Sequence, residues 1–185
     1  PARLYKVLRP AVDLLAGIPS VVYGFFGLVV IVPAVRQLFG GGKSVFTAAL
    51  LLAIMILPTI ISISEAALRS VPQSYYEGAL ALGATKERAI FGVSLPAARS
   101  GVSAGIILGI GRAIGETTAI VMIAGNQPII PNSIFSGVRT LTTNIILEMG
   151  YAQDLHREAL IATAAVLFIF VLLINLLFSA LKKTS

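Results

Sequence analysis

Residues 159–181 read ALIATAAVLFIFVLLINLLFSAL, an apolar run without a charged side chain. A bilayer core requires about 20 apolar residues of helix, so this run is long enough to cross a membrane. Three further runs meet the requirement, at residues 12–35, 45–64 and 101–124. Pro19 allows the first of them to be either a kinked helix or a short helix ahead of the span. The sequence therefore predicts an all-α membrane protein, a polytopic helical bundle with about four transmembrane helices.

The composition of the whole chain agrees with insertion into a membrane. Of the 185 residues, 57% are hydrophobic and 12% are charged, and the mean hydropathy is +0.93. Soluble domains carry about 25% charged residues. The chain has no cysteine and one histidine, so we predict no thiolate or multi-histidine metal site.

Two short patterns resemble motifs of enzymes, but both motifs are incomplete. Residues 40–44 (GGGKS) look like the end of a phosphate-binding loop, but Gln37 stands where the first glycine is required, so this chain is not predicted to bind ATP. Asp154 and His156 lie close together in a loop, and no serine occupies a G-x-S-x-G turn. We therefore predict no catalytic residue.

The distribution of basic residues predicts the orientation. With four spans, both termini and the middle loop at residues 69–99 share one side. The loop at residues 125–158 and the short segment between the first two spans lie on the other side. Nine basic residues fall on the first side: Arg3, Lys6, Arg9, Arg69, Lys86, Arg88, Arg99, Lys182 and Lys183. Four fall on the second: Arg36, Lys43, Arg139 and Arg157. Because basic residues concentrate in the cytoplasm, the first side is predicted to be cytoplasmic. Topology thus accounts for the net charge of +6, and we expect no nucleic-acid partner.

The middle loop has the pattern of two short helices. Residues 74–83 (SYYEGALALG) have helical character and end at Gly83, which suits a left-handed C-cap. Thr85 is placed to cap the N-terminus of a second short helix, and the chain re-enters the membrane just after Leu95-Pro96. On this pattern alone, a compact cytoplasmic projection and an ordinary connecting loop both remain open.

The third apolar run combines small residues with opposite charges. Gly101, Gly105 and Gly109 recur every four residues and predict a smooth face for close helix packing. Arg112 and Glu116 are also four residues apart, so we expect them to be neighbours near that face. A charge at this depth costs at least about 2.5 kcal/mol and should face protein or water. The pair is either a buried clamp between helices or a polar point on an anion pathway.

The middle loop resembles the EAA signature of permease subunits of bacterial ABC importers. The matching residues are Glu77, Gly78, Ala79, Gly83, Leu95 and Pro96. All spacings agree, with Gly78 in place of the first alanine and Val93 in place of an isoleucine. The resemblance implies the type I ABC importer (MetI-like) permease fold, with these six residues at the contact with an ATP-hydrolysing subunit.

Other residues are similar to the PstC-type membrane subunits of phosphate-specific (Pst) importers. The similar stretches are 15–24 (LAGIPSVVYG), 111–117 (GRAIGET) and 125–126 (GN). The likeness extends over essentially the whole of residues 1–185 as one permease domain. Because the family's longer form has six spans and this chain begins with proline, about two N-terminal spans are expected to be missing. The resemblance implies phosphate uptake through the inner membrane of a bacterium or archaeon, with Arg112, Glu116 and Thr117 on the substrate pathway.

The resemblance also implies a set of partners. This chain binds no cofactor, and ATP and Mg are expected on separate ATPase subunits. A second, homologous permease subunit, an extracytoplasmic phosphate-binding protein and membrane lipid complete the expected assembly. Two alternatives remain open: a permease for another oxyanion or small solute, and a non-transporting membrane scaffold, which would have no use for an ATPase contact.

Single cysteines at Ser74 and Ser133 test the predicted orientation, since the chain has no native cysteine. We expect a membrane-impermeant maleimide to label Ser74→Cys only from the cytoplasmic side and Ser133→Cys only from the outside. Labelling of Ser133→Cys from the cytoplasmic side alone contradicts this topology.

Overall fold

Eight helices form the part of the chain that this computed structural model describes, which is the backbone of residues 2–183 and the side chains of residues 4–178 and 180. They are α1 Ala2–Gly17, α2 Ser20–Phe39, α3 Val45–Arg69, α4 Gln73–Ala81, α5 Lys86–Gly115, α6 Thr118–Ile123, α7 Leu141–Glu148 and α8 Asp154–Lys183. Pro1 and the side chains of Arg3, Lys182 and Lys183, used above for the N-terminus and the charge distribution, lie outside the described residues.

Four of these helices, α2, α3, α5 and α8, are long and apolar enough to cross a membrane. The predicted all-α class and number of spans are therefore confirmed. Among the described residues, β pairing is limited to one isolated bridge between Gly125 and Val138. Large apolar side chains on α8, such as Phe168 and Leu173, are exposed on the surface of this chain, as expected of a helix surrounded by hydrocarbon or by other membrane helices.

The first predicted span differs from the structure at its start. Residues 12–17 belong to α1, and α2 begins only at Ser20. Pro19 adopts an extended conformation (φ −62°, ψ 144°), and a proline also disfavours the helical conformation in the residue before it. Of the two structures that the sequence allows, the short helix ahead of the span is the one observed.

The third predicted span differs at both ends. The hydroxyl oxygen of Thr85 accepts the N–H of Arg88 at 3.3 Å, so the predicted N-cap is confirmed. The helix that it caps is not short, however, because α5 continues through Leu95-Pro96 as far as Gly115. The second helix of the middle loop and the third span are thus a single helix, and α5 ends well before residue 124.

Two π turns allow proline to occur inside the long helices. In α5 the turn Ile90–Ser94 has the Leu95 N–H donating to the Ile90 carbonyl oxygen, just before Pro96. In α2 the turn Gly27–Ile31 likewise precedes Pro33. Proline has no N–H to donate, and the wider turn shifts the hydrogen-bond register at the point where that donor is missing.

Residues 40–44 form the short turn between α2 and α3. Gly40 has a positive φ of 80° and ends α2. Ser44 caps α3 by accepting the Thr47 N–H at 3.3 Å. This segment joins two membrane helices, and its glycines form the turn between them.

Three glycines of α5, at positions 101, 105 and 109, lie against α3. An added Cβ at Gly101 would collide with the Ala67 Cβ, and one at Gly109 would lie 2.7 Å from the Ile60 Cγ1. At Gly105 the Ile63 Cβ would be 3.2 Å away. Only a residue without a side chain allows the two helices to approach this closely.

We expect Gly101→Ala to destabilise the protein by about 1–3 kcal/mol, because the Ala67 Cβ is fixed to its backbone and cannot move aside. Gly111→Ala on the same helix is the matched control, since an added Cβ there meets no atom within 4 Å. Thermal unfolding of the full-length permease in detergent measures both. Equal unfolding midpoints for the two variants contradict the close packing.

Candidate functional site

The helix α4 lies in the middle loop and ends in a left-handed cap. Gly83 has a φ of +84°. Its N–H donates to the Leu80 carbonyl oxygen at 2.9 Å, and the Ala84 N–H donates to the Ala79 carbonyl oxygen at 3.1 Å. This pair of bonds is the Schellman motif, which satisfies the last carbonyls of a helix and favours glycine at the left-handed position. The geometry agrees with the C-cap that the sequence predicts.

One side of α4 is buried and the other is free. Ala79 and Ala89 are buried where α4 packs against the start of α5. Glu77 and Gly78 are exposed, and the Leu82 side chain after the helix is 91% exposed. A nearly fully exposed leucine beside a short, capped helix is a suitable contact for another protein.

The last two residues of the signature lie on a different helix from the first ones. Leu95 and Pro96 belong to α5 and follow the π turn that packs against α4. Leu95 is half-buried and Pro96 is exposed. Their position indicates that they set the path of α5 next to α4, while the exposed surface of α4 is formed by residues nearer Glu77.

Arg112 and Glu116 do not form the predicted pair. The helix α5 ends at Gly115, and Glu116 has an extended conformation with ψ 126°. The Glu116 carboxylate turns towards α6 instead and accepts the Ala119 N–H at 3.1 Å. The spacing of four residues brings side chains together only while the helix continues. The expected contact between the two side chains is therefore absent, and of the two alternatives that the sequence leaves open, the clamp is not formed by this pair.

Arg112 lies in the last turn of α5 with its side chain exposed. Within the part of the chain that the structure describes, its guanidinium makes no hydrogen bond or ion pair. At membrane depth such a cation requires water, another protein group or an anion beside it.

Threonine hydroxyls satisfy the unwound backbone between α5 and α6. The Thr117 hydroxyl donates to the Gly115 carbonyl oxygen at 3.2 Å, and the Thr142 hydroxyl donates to the Glu116 carbonyl oxygen at 3.4 Å. Irregular backbone at membrane depth is stable only where such partners replace the helical bonds. Thr117 and Thr142 also line one side of a cleft of about 440 Å³ between α7 and α8, and Arg112 is not among the residues of this cleft.

Thr142 is a residue that the sequence analysis missed. The spacing of Thr140 and Thr143 is that of a capping box, and the structure contains it, with the Thr143 N–H donating to the Thr140 hydroxyl oxygen at 3.2 Å. This pattern could have predicted the start of α7. No local pattern could have predicted that α7 docks at the break, because the bond from Thr142 to Glu116 joins distant parts of the chain.

Gly24, in the stretch 15–24 that was singled out from the sequence, packs closely against α6. A Cβ added there would lie 2.8 Å from the backbone Cα of Ala119. The neighbouring Tyr23 is buried, and its hydroxyl donates to the Leu15 carbonyl oxygen at 2.8 Å. The stretch 15–24 therefore connects α1, α2 and α6, and α6 is the helix that follows the break after Gly115.

The Gly-Asn pair after α6 is anchored on both sides. Asn126 has a φ of 54°, and its amide nitrogen donates to the Val121 carbonyl oxygen at 2.6 Å. Arg139 donates to the Asn126 carbonyl oxygen at 3.1 Å and to the Glu148 carboxylate at 2.6 Å. A hydrogen bond from Tyr151, followed by the contact with Arg139, holds the pKa of Glu148 below its usual value. These bonds fix the loop over the C-terminal end of α6.

Comparisons with known proteins give one family for the whole chain. A family described as binding-protein-dependent transport system inner membrane component matches residues 1–184. The probable ABC transporter permease protein YqgH of Bacillus subtilis is 44% identical over 185 aligned residues, covering 96% of this chain and 60% of that protein. The phosphate transport system permease protein PstC of Haemophilus influenzae is 35% identical over 198 residues, covering 96% of this chain and 63% of that protein. The chain thus spans about three fifths of the length of these relatives.

A solved structure has the same fold. A chain from the inward-facing MetNI methionine ABC transporter superposes with a TM-score of 0.78 and 22% sequence identity, covering 99% of this chain and 76% of that chain. The predicted bundle of the type I ABC importer permease kind is therefore confirmed, and at this level of identity the likeness concerns the fold alone.

Proposed function

The chain belongs to the family of binding-protein-dependent transport system inner membrane components, and from this we propose that it forms part of a permease subunit that carries inorganic phosphate across the cytoplasmic membrane in an ATP-driven importer. The PstC relatives support phosphate as the solute. The observation that carries the proposal is the exposed guanidinium of Arg112 at the break between α5 and α6.

The chemistry of Arg112 suits a phosphate pathway. Its planar fork of N–H donors matches two oxygens of a phosphate. Because Glu116 is engaged with the Ala119 N–H, no carboxylate of the break competes with an anion for the guanidinium. A lone arginine also binds less tightly than a cluster, and a transport site must release what it binds. Glu116 and Thr117 act here as positioning residues that shape the break.

The helix α4 is the proposed contact with an ATPase subunit that binds ATP and Mg. It is exposed on one side, ends in a rigid cap at Gly83, and is joined by short connections to α3 and α5. Those two helices pack in direct contact at Gly101 and Gly109, so we expect them to move as one unit. A displacement of α4 is therefore passed to both spans together.

The proposed orientation in the membrane places the remaining partners. Residues 69–99 and the C-terminus face the cytoplasm, and residues 125–158 face the outside, where an extracytoplasmic phosphate-binding protein docks. A second, homologous permease subunit packs on the exposed apolar surface of this chain, to which α8 contributes Phe168 and Leu173. The anchored loop around Asn126 and Arg139 gives the docking protein a fixed surface.

Substitution of Gly83 tests the ATPase contact. We expect Gly83→Val to lower phosphate uptake and ATPase assembly severalfold, because a β-branched residue strains a backbone with a φ of +84°. The matched control is Gly78→Ala, where an added Cβ meets no atom within 4 Å; it should assemble and transport normally. Native coupling of ATP hydrolysis to uptake in the assembled Gly83→Val complex contradicts the role of α4.

Substitution of Arg112 tests the pathway. We expect Arg112→Gln to abolish phosphate uptake while the complex still assembles, since the side chain is exposed and supports no described hydrogen bond. Arg112→Lys should restore uptake only in part, because it keeps the charge and loses the planar fork. Uptake of labelled phosphate and the amount of assembled complex are the two measurements.

Glu116→Gln is the control for this experiment. It keeps the oxygen that accepts the Ala119 N–H, so assembly and most of the uptake should persist. Glu116→Ala removes this side-chain bond at the start of α6 and should cost about 1 kcal/mol of stability. Normal phosphate uptake by an assembled Arg112→Gln complex refutes the pathway. Uptake of sulfate in place of phosphate by the native complex refutes the proposed solute.

A further inference from the structure

Glu65, near the end of α3, is held by donors from two helices. Its carboxylate accepts the Tyr5 hydroxyl at 2.7 Å and the Arg69 Nε–H at 2.8 Å. It also accepts a short bond from Nη1 of Arg9. Tyr5 and Arg9 belong to α1, so this cluster fixes α1 against the last turns of α3. The bonds to Glu65 therefore also fix the shape of the space between the two helices.

An apolar groove of about 570 Å³ lies between these helices. Leu4, Leu8 and Val12 line it from α1, and Ile61 and Leu68 line it from α3. Leu8 is 52% exposed and Leu4 is 53% exposed. The groove is thus open at the surface of the chain and lies at the end of a membrane span, where lipid tails meet their headgroups.

A polar cleft of about 340 Å³ continues the apolar groove. The two share Tyr5, Arg9 and Glu65, and the cleft extends over Ser62 and Arg69. An apolar groove that passes directly into a polar cleft has the shape and polarity of an amphiphile, with room for a tail at one end and a headgroup at the other.

The arginines of the cleft have donors to spare. Arg9 uses Nε for Asp13 and Nη1 for Glu65, and Arg69 uses Nε for Glu65 and Nη2 for Tyr5. The Nη2 of Arg9 and the Nη1 of Arg69 make no bond to the described residues. The two side chains are 36% and 65% exposed. Guanidinium groups bind phosphate oxygens through such paired donors.

The charge around the cleft favours an anion. The described side chains of α1 carry Lys6, Arg9 and Asp13, and the last turns of α3 carry Glu65 and Arg69, so the cations outnumber the anions. The hydroxyl oxygen of Ser64, which lines the groove, is buried and has no hydrogen-bond partner among the described residues. A ligand with both phosphate oxygens and polar atoms near its tail fits these groups.

We propose that the groove and the cleft form a binding site for an anionic phospholipid. One acyl chain lies between α1 and α3, and the headgroup phosphate accepts from Arg9 and Arg69. The lipid reinforces the attachment of α1 at the point where α3 leads, only a few residues later, into α4 at Gln73. The site is separate from Arg112 and does not depend on the solute that is carried.

Photo-crosslinking tests the site in the assembled, full-length transporter. The complex is placed in nanodiscs of phosphatidylethanolamine and phosphatidylglycerol with a trace of phosphatidylglycerol that carries a diazirine on its acyl chain. Mass spectrometry should find crosslinks within residues 4–12 and 61–68. Unlabelled phosphatidylglycerol should compete at least about fivefold better than phosphatidylcholine, since each basic side chain beside an anionic headgroup favours it by about that ratio.

Two tryptophan variants separate this site from lipid that merely surrounds the protein. Leu8→Trp fills the groove and leaves every charge in place, so crosslinking should fall severalfold. Leu14→Trp is the matched control, since Leu14 is on the same helix, is 74% exposed and does not line the groove; crosslinking should not change. Absence of crosslinks in both segments, equal competition by the two lipids, or unchanged crosslinking in Leu8→Trp each overturns the proposal.

Discussion

Hydrocarbon offers no hydrogen-bond partner, so every backbone N–H and C=O within the spans must find one inside the protein. This constraint explains where the chain departs from regular helix. The two π turns lie next to Pro33 and Pro96, where an N–H is missing. The break after Gly115 occurs where hydroxyl groups of Thr117 and Thr142 reach the freed carbonyls. Irregular backbone thus appears in two settings in the described part of the chain, beside a proline of a long helix and where threonine hydroxyls reach the freed carbonyls.

The same constraint makes the charge of Arg112 available. Because α5 ends at Gly115, Glu116 leaves the helix and its carboxylate is taken up by the Ala119 N–H. The groups that stabilise the break therefore remove the nearest counter-charge from the arginine. The arrangement that satisfies the backbone of the break is therefore the same one that leaves the Arg112 guanidinium without a carboxylate partner among the described residues.

The long helix α5 joins the two ends of the molecule. It runs unbroken from Lys86, next to α4, to Gly115, next to Arg112, and its glycines lock it against α3. The end of α3 is in turn fixed to α1 through Glu65. The helices α1, α3 and α5 thus form one connected unit, and the break lies at the end of α5 that is far from α4.

The sequence by itself determined the class of the protein, the number of spans, the glycine spacing on α5 and the cap at Gly83, since apolar length, helical periodicity and turn chemistry are local properties. Tertiary structure decided where α5 stops, which partner Glu116 takes and how Glu65 gathers donors from α1. Arg112 and Glu116 have the spacing of an ion pair, but that spacing has meaning only in a helix that continues. The break that ends this helix is contacted by Thr142, which a later helix brings to the Glu116 carbonyl oxygen, and no pattern within the span predicts that contact.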